Sequence, residues 1–192
     1  MKTFELKGTV RAELGKKATK ANRAGDNVPC VLYGMGENVH FTATASDLRK
    51  LLYTPEVYVV NLDVDGKKCK ALMKALQFHP VSDKVLHIDF LEISESKPVI
   101  VEIPVKLQGL AEGVKAGGKL ALQMRKLKVK GLYTDFPEYI TLDVTDLGLG
   151  KSIQVGAVAV EKLEILNAKN AVVAQVKLTR AARGAAAAAG SN

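Results

Sequence analysis

Two of the chain's three histidines and two carboxylates, Asp83 and Asp89, fall within "QFHPVSDKVLHIDF", Gln77 to Phe90, and the second half of that stretch alternates like a strand. Successive side chains on a pleated backbone point to opposite faces, so Leu86, Ile88 and Phe90 are expected on the core side and His87 and Asp89 together on the polar side. Three chemistries fit such a pair: an acid/base couple, the start of a metal site, or a hydrogen-bonding patch for a partner. Acid/base work needs a nucleophile or a second carboxylate converging in a pocket, and no GxSxG, HExxH or His-rich cluster supplies one. A metal site would have to draw on Cys69, His79 and His87, whose spacings match no familiar ligand set. "GLGKS", Gly148 to Ser152, is no phosphate-cradling loop: Thr145 stands where that motif needs its first glycine, and strand-like residues follow. A small cytosolic enzyme using His87 and Asp89 stays open as an alternative, as does a pair bonded only for local structure.

The elements that must position the pair are mainly β. "FELKGTVR" alternates Phe4, Leu6 and Val10 inward with Glu5, Lys7, Thr9 and Arg11 outward, a half-buried strand whose wet face ends at Arg11. "ELGKKATKANRAGDNVP" has few apolar residues, and glycines, Asp26, Asn27 and Pro29 punctuate it; it reads as a basic loop with about two helical turns. "CVLYG" and "NVHFTAT" are short strands, and "SDLRKLLYT" offers Ser46 as the N-cap of a brief helix that Pro55 limits. "VYVVNLDVDGKKCKALMKALQF" reads as a hairpin turning at Asp65-Gly66. Beyond "ESKP" a second series of strands and turns begins, favouring a β-sandwich-like domain, with "GVKAGG" as a tight turn. The expected organisation is an N-terminal β-barrel domain with short helices over 1–93, a second β-domain over 94–180, and a disordered Ala-rich tail over 181–192.

Composition narrows the partner. The 192 residues are 47% hydrophobic and 25% charged, enough to bury a core and unlike a chain disordered throughout. The start lacks an apolar h-region and no apolar run is long enough to span a bilayer, so the expectation is a cytosolic protein. Cys30 and Cys69, far apart, read as two free buried thiols. A net charge of +8 makes a polyanion the reasonable partner. The excess sits in two patches: residues 1–25, with seven Lys or Arg against two Glu, and residues 115–130, with six and no acid.

A closed sheet would let the wet ends of the first and last strands adjoin, bringing Arg11 and the 16–23 loop near His87 and Asp89. A carboxylate repels phosphates, so a face that includes one suits base amino groups or the orientation of an arginine. Such edges are reachable in duplex RNA mainly through the wide, shallow minor groove or at distorted internal loops, which favours structured RNA as the ligand.

Two stretches also carry a resemblance. "VRAELGKKATKANRAGDNVPCVLYG" resembles the opening signature of the bacterial ribosomal proteins that bind 5S rRNA, the twenty-fifth large-subunit protein family, and "LQFHPVSDKVLHIDFLEI" resembles its closing signature. "GLAEGVKAGGKL" and "FPEYITLDVTDLGLGKSIQV" resemble the second domain of its longer form, the general stress protein Ctc. The resemblance implies a barrel docking on an internal loop of 5S rRNA through its minor groove, within the large ribosomal subunit in the cytoplasm, without catalysis, cofactor or metal. It implies RNA-binding roles for Arg11, for Lys16, Thr19, Lys20 and Arg23 in the basic loop, for Tyr33 and Gln77, and for His87 and Asp89. It leaves the second domain free to meet neighbouring ribosomal proteins or rRNA. A general RNA-binding stress protein without a fixed ribosomal place is the other reading. Lys20 stands where the family commonly has arginine, and lysine supplies charge without the bidentate fork.

Overall fold

The computed structural model describes residues 1–160 and 162–180. The Ala-rich stretch 181–192, expected to be disordered, lies outside the described residues. The chain divides into two compact units: Met1–Val99 with Leu132–Thr134, and Ile100–Gly131 with Asp135 onward.

Unit 1 is a closed six-stranded barrel built from β1 (Lys2–Val10), β2 (Asn27–Tyr33), β3 (Val39–Thr44), β4 (Tyr58–Val64), β5 (Lys67–Phe78) and β6 (Val85–Glu92), in the spatial order β1-β3-β2-β6-β5-β4. Alternation makes the wall. In β4, Val60, Leu62 and Val64 are buried while Asn61 and Asp63 between them are not. Phe41, Ile88 and Phe90 are fully buried at the centre of the core, joined by Leu48 and Leu51 of helix α2 (Ala45–Leu52). The β4–β5 hairpin turns at Asp65-Gly66 as expected, both residues holding positive φ (48° and 88°), the conformation that an Asp-Gly pair tolerates in a two-residue turn.

Several local expectations are corrected. The cap of α2 is Thr44 rather than Ser46: its hydroxyl accepts the Asp47 backbone N–H at 3.4 Å, satisfying a donor the helix cannot. The first and last barrel strands do not adjoin, because β1 pairs with β3 and in parallel with β4, leaving β3 and β2 between it and β6. Val10, expected inward, is 52% exposed at the strand end, its amide held by Asp65 Oδ2 at 2.8 Å. Leu86 is only half-buried and Val85 packs on the core instead, since the β5–β6 register shifts between Gln77 and Phe78 and breaks the alternation there. Cys69 is half-exposed; only Cys30 is a buried thiol.

The basic stretch forms α1 (Lys16–Ala24). It begins after Gly15 and ends where the Gly25 amide donates to the Ala21 and Asn22 carbonyls. None of its residues is buried, consistent with its cationic composition.

Unit 2 is a β-domain of two sheets. One has the order β10-β7-β9-β12, from β7 (Val99–Gln108), β9 (Lys126–Gly131), β10 (Ile140–Asp143) and β12 (Glu164–Ile165). The other has the order β11-β13-β8, from β8 (Lys119–Leu122), β11 (Ser152–Gln154) and β13 (Val172–Lys177). "GVKAGG" is not a simple tight turn: a helical turn, α3 (Glu112–Lys115), leads into it. Gly148–Gly150 lies in a turn before β11, in line with the rejection of a phosphate loop.

Candidate nucleic-acid interface

β6 presents His87 and Asp89 on the outer wall of the barrel, where His87 Nδ1 and Asp89 Oδ1 lie 2.8 Å apart. Ile88 between them is fully buried, so the strand period alone places both outward. In the neutral ring, Nδ1–H donating to the carboxylate leaves Nε2 as an acceptor, and Asp89 keeps a second oxygen. The pair therefore offers acceptors on a convex surface, which suits the ribose 2′-hydroxyl and the guanine N2 amino group of a minor groove. Its cross-strand neighbours are Gln77, opposite His87, and Ala75 and Val31, either side of Asp89.

Around the pair, the wall continues in register. Tyr33 stands two positions beyond Val31 on β2; burial, then the Asp89 charge, raises its phenol above the usual value. Val31 pairs onward with His40 of β3, and the Arg11 amide donates to the His40 carbonyl at 2.9 Å. Arg11 and Asp89 thus belong to one row that crosses four strands rather than to adjacent strands.

The helix α1 supplies the cations. Lys16, Lys17 and Lys20 are exposed. Thr19 and Arg23 have internal tasks. The Thr19 hydroxyl donates to Gly15 O at 2.7 Å and accepts from Arg11 Nη2 at 3.1 Å, which orients the guanidinium. Arg23 donates through Nε (3.1 Å) and Nη2 (2.8 Å) to the Leu86 carbonyl, tying α1 to the start of β6 beside His87.

His79 belongs elsewhere. Its Nδ1 accepts from the Val81 and Ser82 amides at 3.3 and 3.2 Å, capping the β5–β6 loop. Among the described residues no group of three or more His, Cys, Asp or Glu is arranged to hold a metal ion. His40 stands on the outer face of β3, a placement that the alternation of "VHFTAT", with Phe41 and Ala43 inward, signals.

Behind this wall lies Cys30. Burial pushes its thiol from 9.0 up to about 12, with backbone hydrogen bonding from Ala43 opposing, Asp89 adding to the rise and Arg11 lowering it. A thiol whose folded pKa is raised contributes stability that is complete below pH 9 and is lost as pH rises from 9 toward 12. Wild type should therefore lose about 2 kcal/mol more than Cys30→Ala between pH 8 and pH 10.5, at about 1.4 kcal/mol per unit. Parallel stability-versus-pH curves from chemical denaturation would remove this account.

A convex barrel wall offering hydrogen-bond acceptors beside an exposed cationic helix has the form of a macromolecular docking surface. The family model described as the Ribosomal L25p family matches residues 6–90, and the one described as Ribosomal protein TL5, C-terminal domain, matches residues 98–180. The chain is 60% identical to the large ribosomal subunit protein bL25 of Bacteroides thetaiotaomicron, over 99% of this chain and all of that protein. It is 57% identical to bL25 of Phocaeicola vulgatus over the same shares, and 59% identical to that of Porphyromonas gingivalis over 97% of this chain and 98% of the relative. The chain belongs to the ribosomal L25p family, in a form with a second domain of the TL5 C-terminal type.

Proposed function

We propose that this chain is a structural, non-catalytic component of the large ribosomal subunit that docks the outer wall of its N-terminal barrel into the minor groove of an internal loop of 5S rRNA. The His87–Asp89 pair carries the reading: it is outward, convexly placed and rich in acceptors, so it can take hydrogen bonds from 2′-hydroxyls and base amino groups. Tyr33 and Gln77 border it, and Lys16, Lys17 and Lys20 on α1 meet flanking phosphates. Arg11, held by Thr19, lies at the far end of the same wall, and Arg23 fixes the helix against β6. The second domain adds contacts to neighbouring ribosomal proteins or rRNA.

Arg11→Ala and Asp89→Ala should each weaken 5S rRNA binding by about 1–3 kcal/mol, the range for a good base-edge contact, and narrow the preference over unrelated structured RNA. Gel-shift titration at matched salt measures both. Wild-type affinity in the two variants would sink the assignment, and equal wild-type affinity for all RNAs would instead indicate a general RNA-binding protein.

A further inference from the structure

The three histidines have different commitments. His79 caps a loop and His87 is paired with Asp89. His40 is half-buried on the outer wall, and its ring has no hydrogen-bond or ion-pair partner among the described residues. It stands in register with Val31, which stands in register with Asp89. At about 4.8 Å per strand, His40 lies about 10 Å across the wall from Asp89, with Arg11 one strand further on. Arg11 and His40 also share the wall of one cleft with Glu37, Asn38 and Lys67.

We propose that His40 is a further RNA contact that reads groove shape, meeting ribose 2′-hydroxyls on the strand of the minor groove opposite the one met by His87 and Asp89, at a spacing that an RNA of different shape does not present. This rests on the docking reading above. A neutral imidazole carries one donor and one acceptor, the same complement as a 2′-hydroxyl, and an uncommitted ring can use both. Val31 forms the floor between the two polar ends. Its short apolar side chain lets a wide, shallow groove settle on the wall without meeting a further charge.

The test is gel-shift titration of the full chain against 5S rRNA and an unrelated structured RNA, with melting followed by circular dichroism. His40→Ala should lose roughly tenfold on 5S rRNA, within the range of a specific contact, with unchanged melting and unchanged affinity for the unrelated RNA. His40→Gln, which keeps a donor and an acceptor, should recover part of the loss. Val31→Glu, placing a carboxylate mid-row, should lose more than His40→Ala. The inference is overturned by a His40→Ala that binds 5S rRNA like a discriminating wild type, by equal losses on both RNAs, by a His40→Gln no better than Ala, or by an unaffected Val31→Glu. A wild type that does not discriminate overturns the docking reading and this inference together, so the two failures are distinguishable.

Discussion

Phe41→Ala is expected to destabilise the N-terminal barrel by about 3–5 kcal/mol, the range for truncating a buried aromatic side chain. Phe41 is 0% exposed and packs on Phe90, ring centroids 5.7 Å apart. The strand beside it cannot close the gap cheaply. Gly8 of β1 faces the ring so closely that a Cβ there would lie 2.5 Å from Phe41 Cδ2, so the neighbouring strand has no side chain to move into the space. A site that cannot collapse keeps its cavity, and cavity volume is what drives the penalty upward. The loss is a large fraction of the stability of an ordinary domain. It should also reach the outer face, because Phe41 separates His40 from Thr42, whose hydroxyl shares a 2.8 Å hydrogen bond with that of Thr9. The measurement is chemical denaturation followed by circular dichroism; a loss below about 1 kcal/mol would mean that the barrel repacks and the wall is more plastic than its geometry implies.

What could be read before the fold was visible followed the reach of each interaction. The Asp65-Gly66 hairpin, the buried run of β4 and the outward placement of His87 and Asp89 depend on the period of the strand and on local turn chemistry, and both are written in consecutive residues. The pairing of β1 with β3 and β4 is not, because strand order is settled by which distant apolar faces close the barrel. That is why Arg11 was expected beside His87 and instead lies three strands from β6. Leu86 was misplaced by a register shift that no glycine or proline announces. In unit 2, β8 and β9 are parted where the Gln123 and Met124 amides both donate to Val173 O, at 2.8 and 3.2 Å, and the chain passes from one sheet to the other without a glycine or proline to mark it. The cap of α2 falls on Thr44 instead of the expected Ser46 because both hydroxyls precede Asp47 and only the fold selects one. Motif resemblance suggested what periodicity could not, RNA-binding roles for Tyr33 and Gln77, whereas the place of His40 in the row depends on β3 pairing with β2.

Residues 100–192 alone are expected to lose all specific affinity for 5S rRNA, while residues 1–99 keep it to within about tenfold, near 1.4 kcal/mol. Arg11, α1, Tyr33, His40, Gln77, His87 and Asp89 all precede residue 94, and the closed barrel that positions them is complete by Glu92. The short fragment lacks Leu132–Thr134, whose Tyr133 hydroxyl donates to Glu95 at 2.9 Å and accepts from Lys70 Nζ at 3.3 Å. These are exposed polar contacts, worth little to stability, so the barrel should fold without them. Charge alone would not divide the chain this way. Residues 94–180 carry 13 basic and 9 acidic side chains against 14 and 11 in residues 1–93, so both halves should hold RNA weakly at low salt. The difference lies in what the charges border. Lys126, Lys128 and Lys130 line the exposed side of β9, with Glu102 3.9 Å from Lys128 and Glu164 3.8 Å from Lys130; that face can follow a phosphate chain, but its two carboxylates are engaged by lysines and no histidine stands beside them. Its binding should weaken with salt equally for every RNA, whereas the preference of residues 1–99 for 5S rRNA over an unrelated structured RNA should survive at salt concentrations that remove the nonspecific part. If residues 1–99 are folded by circular dichroism yet bind 5S rRNA more than tenfold weaker than the full chain at matched salt, the second domain shares the specific site and the barrel wall is only part of it.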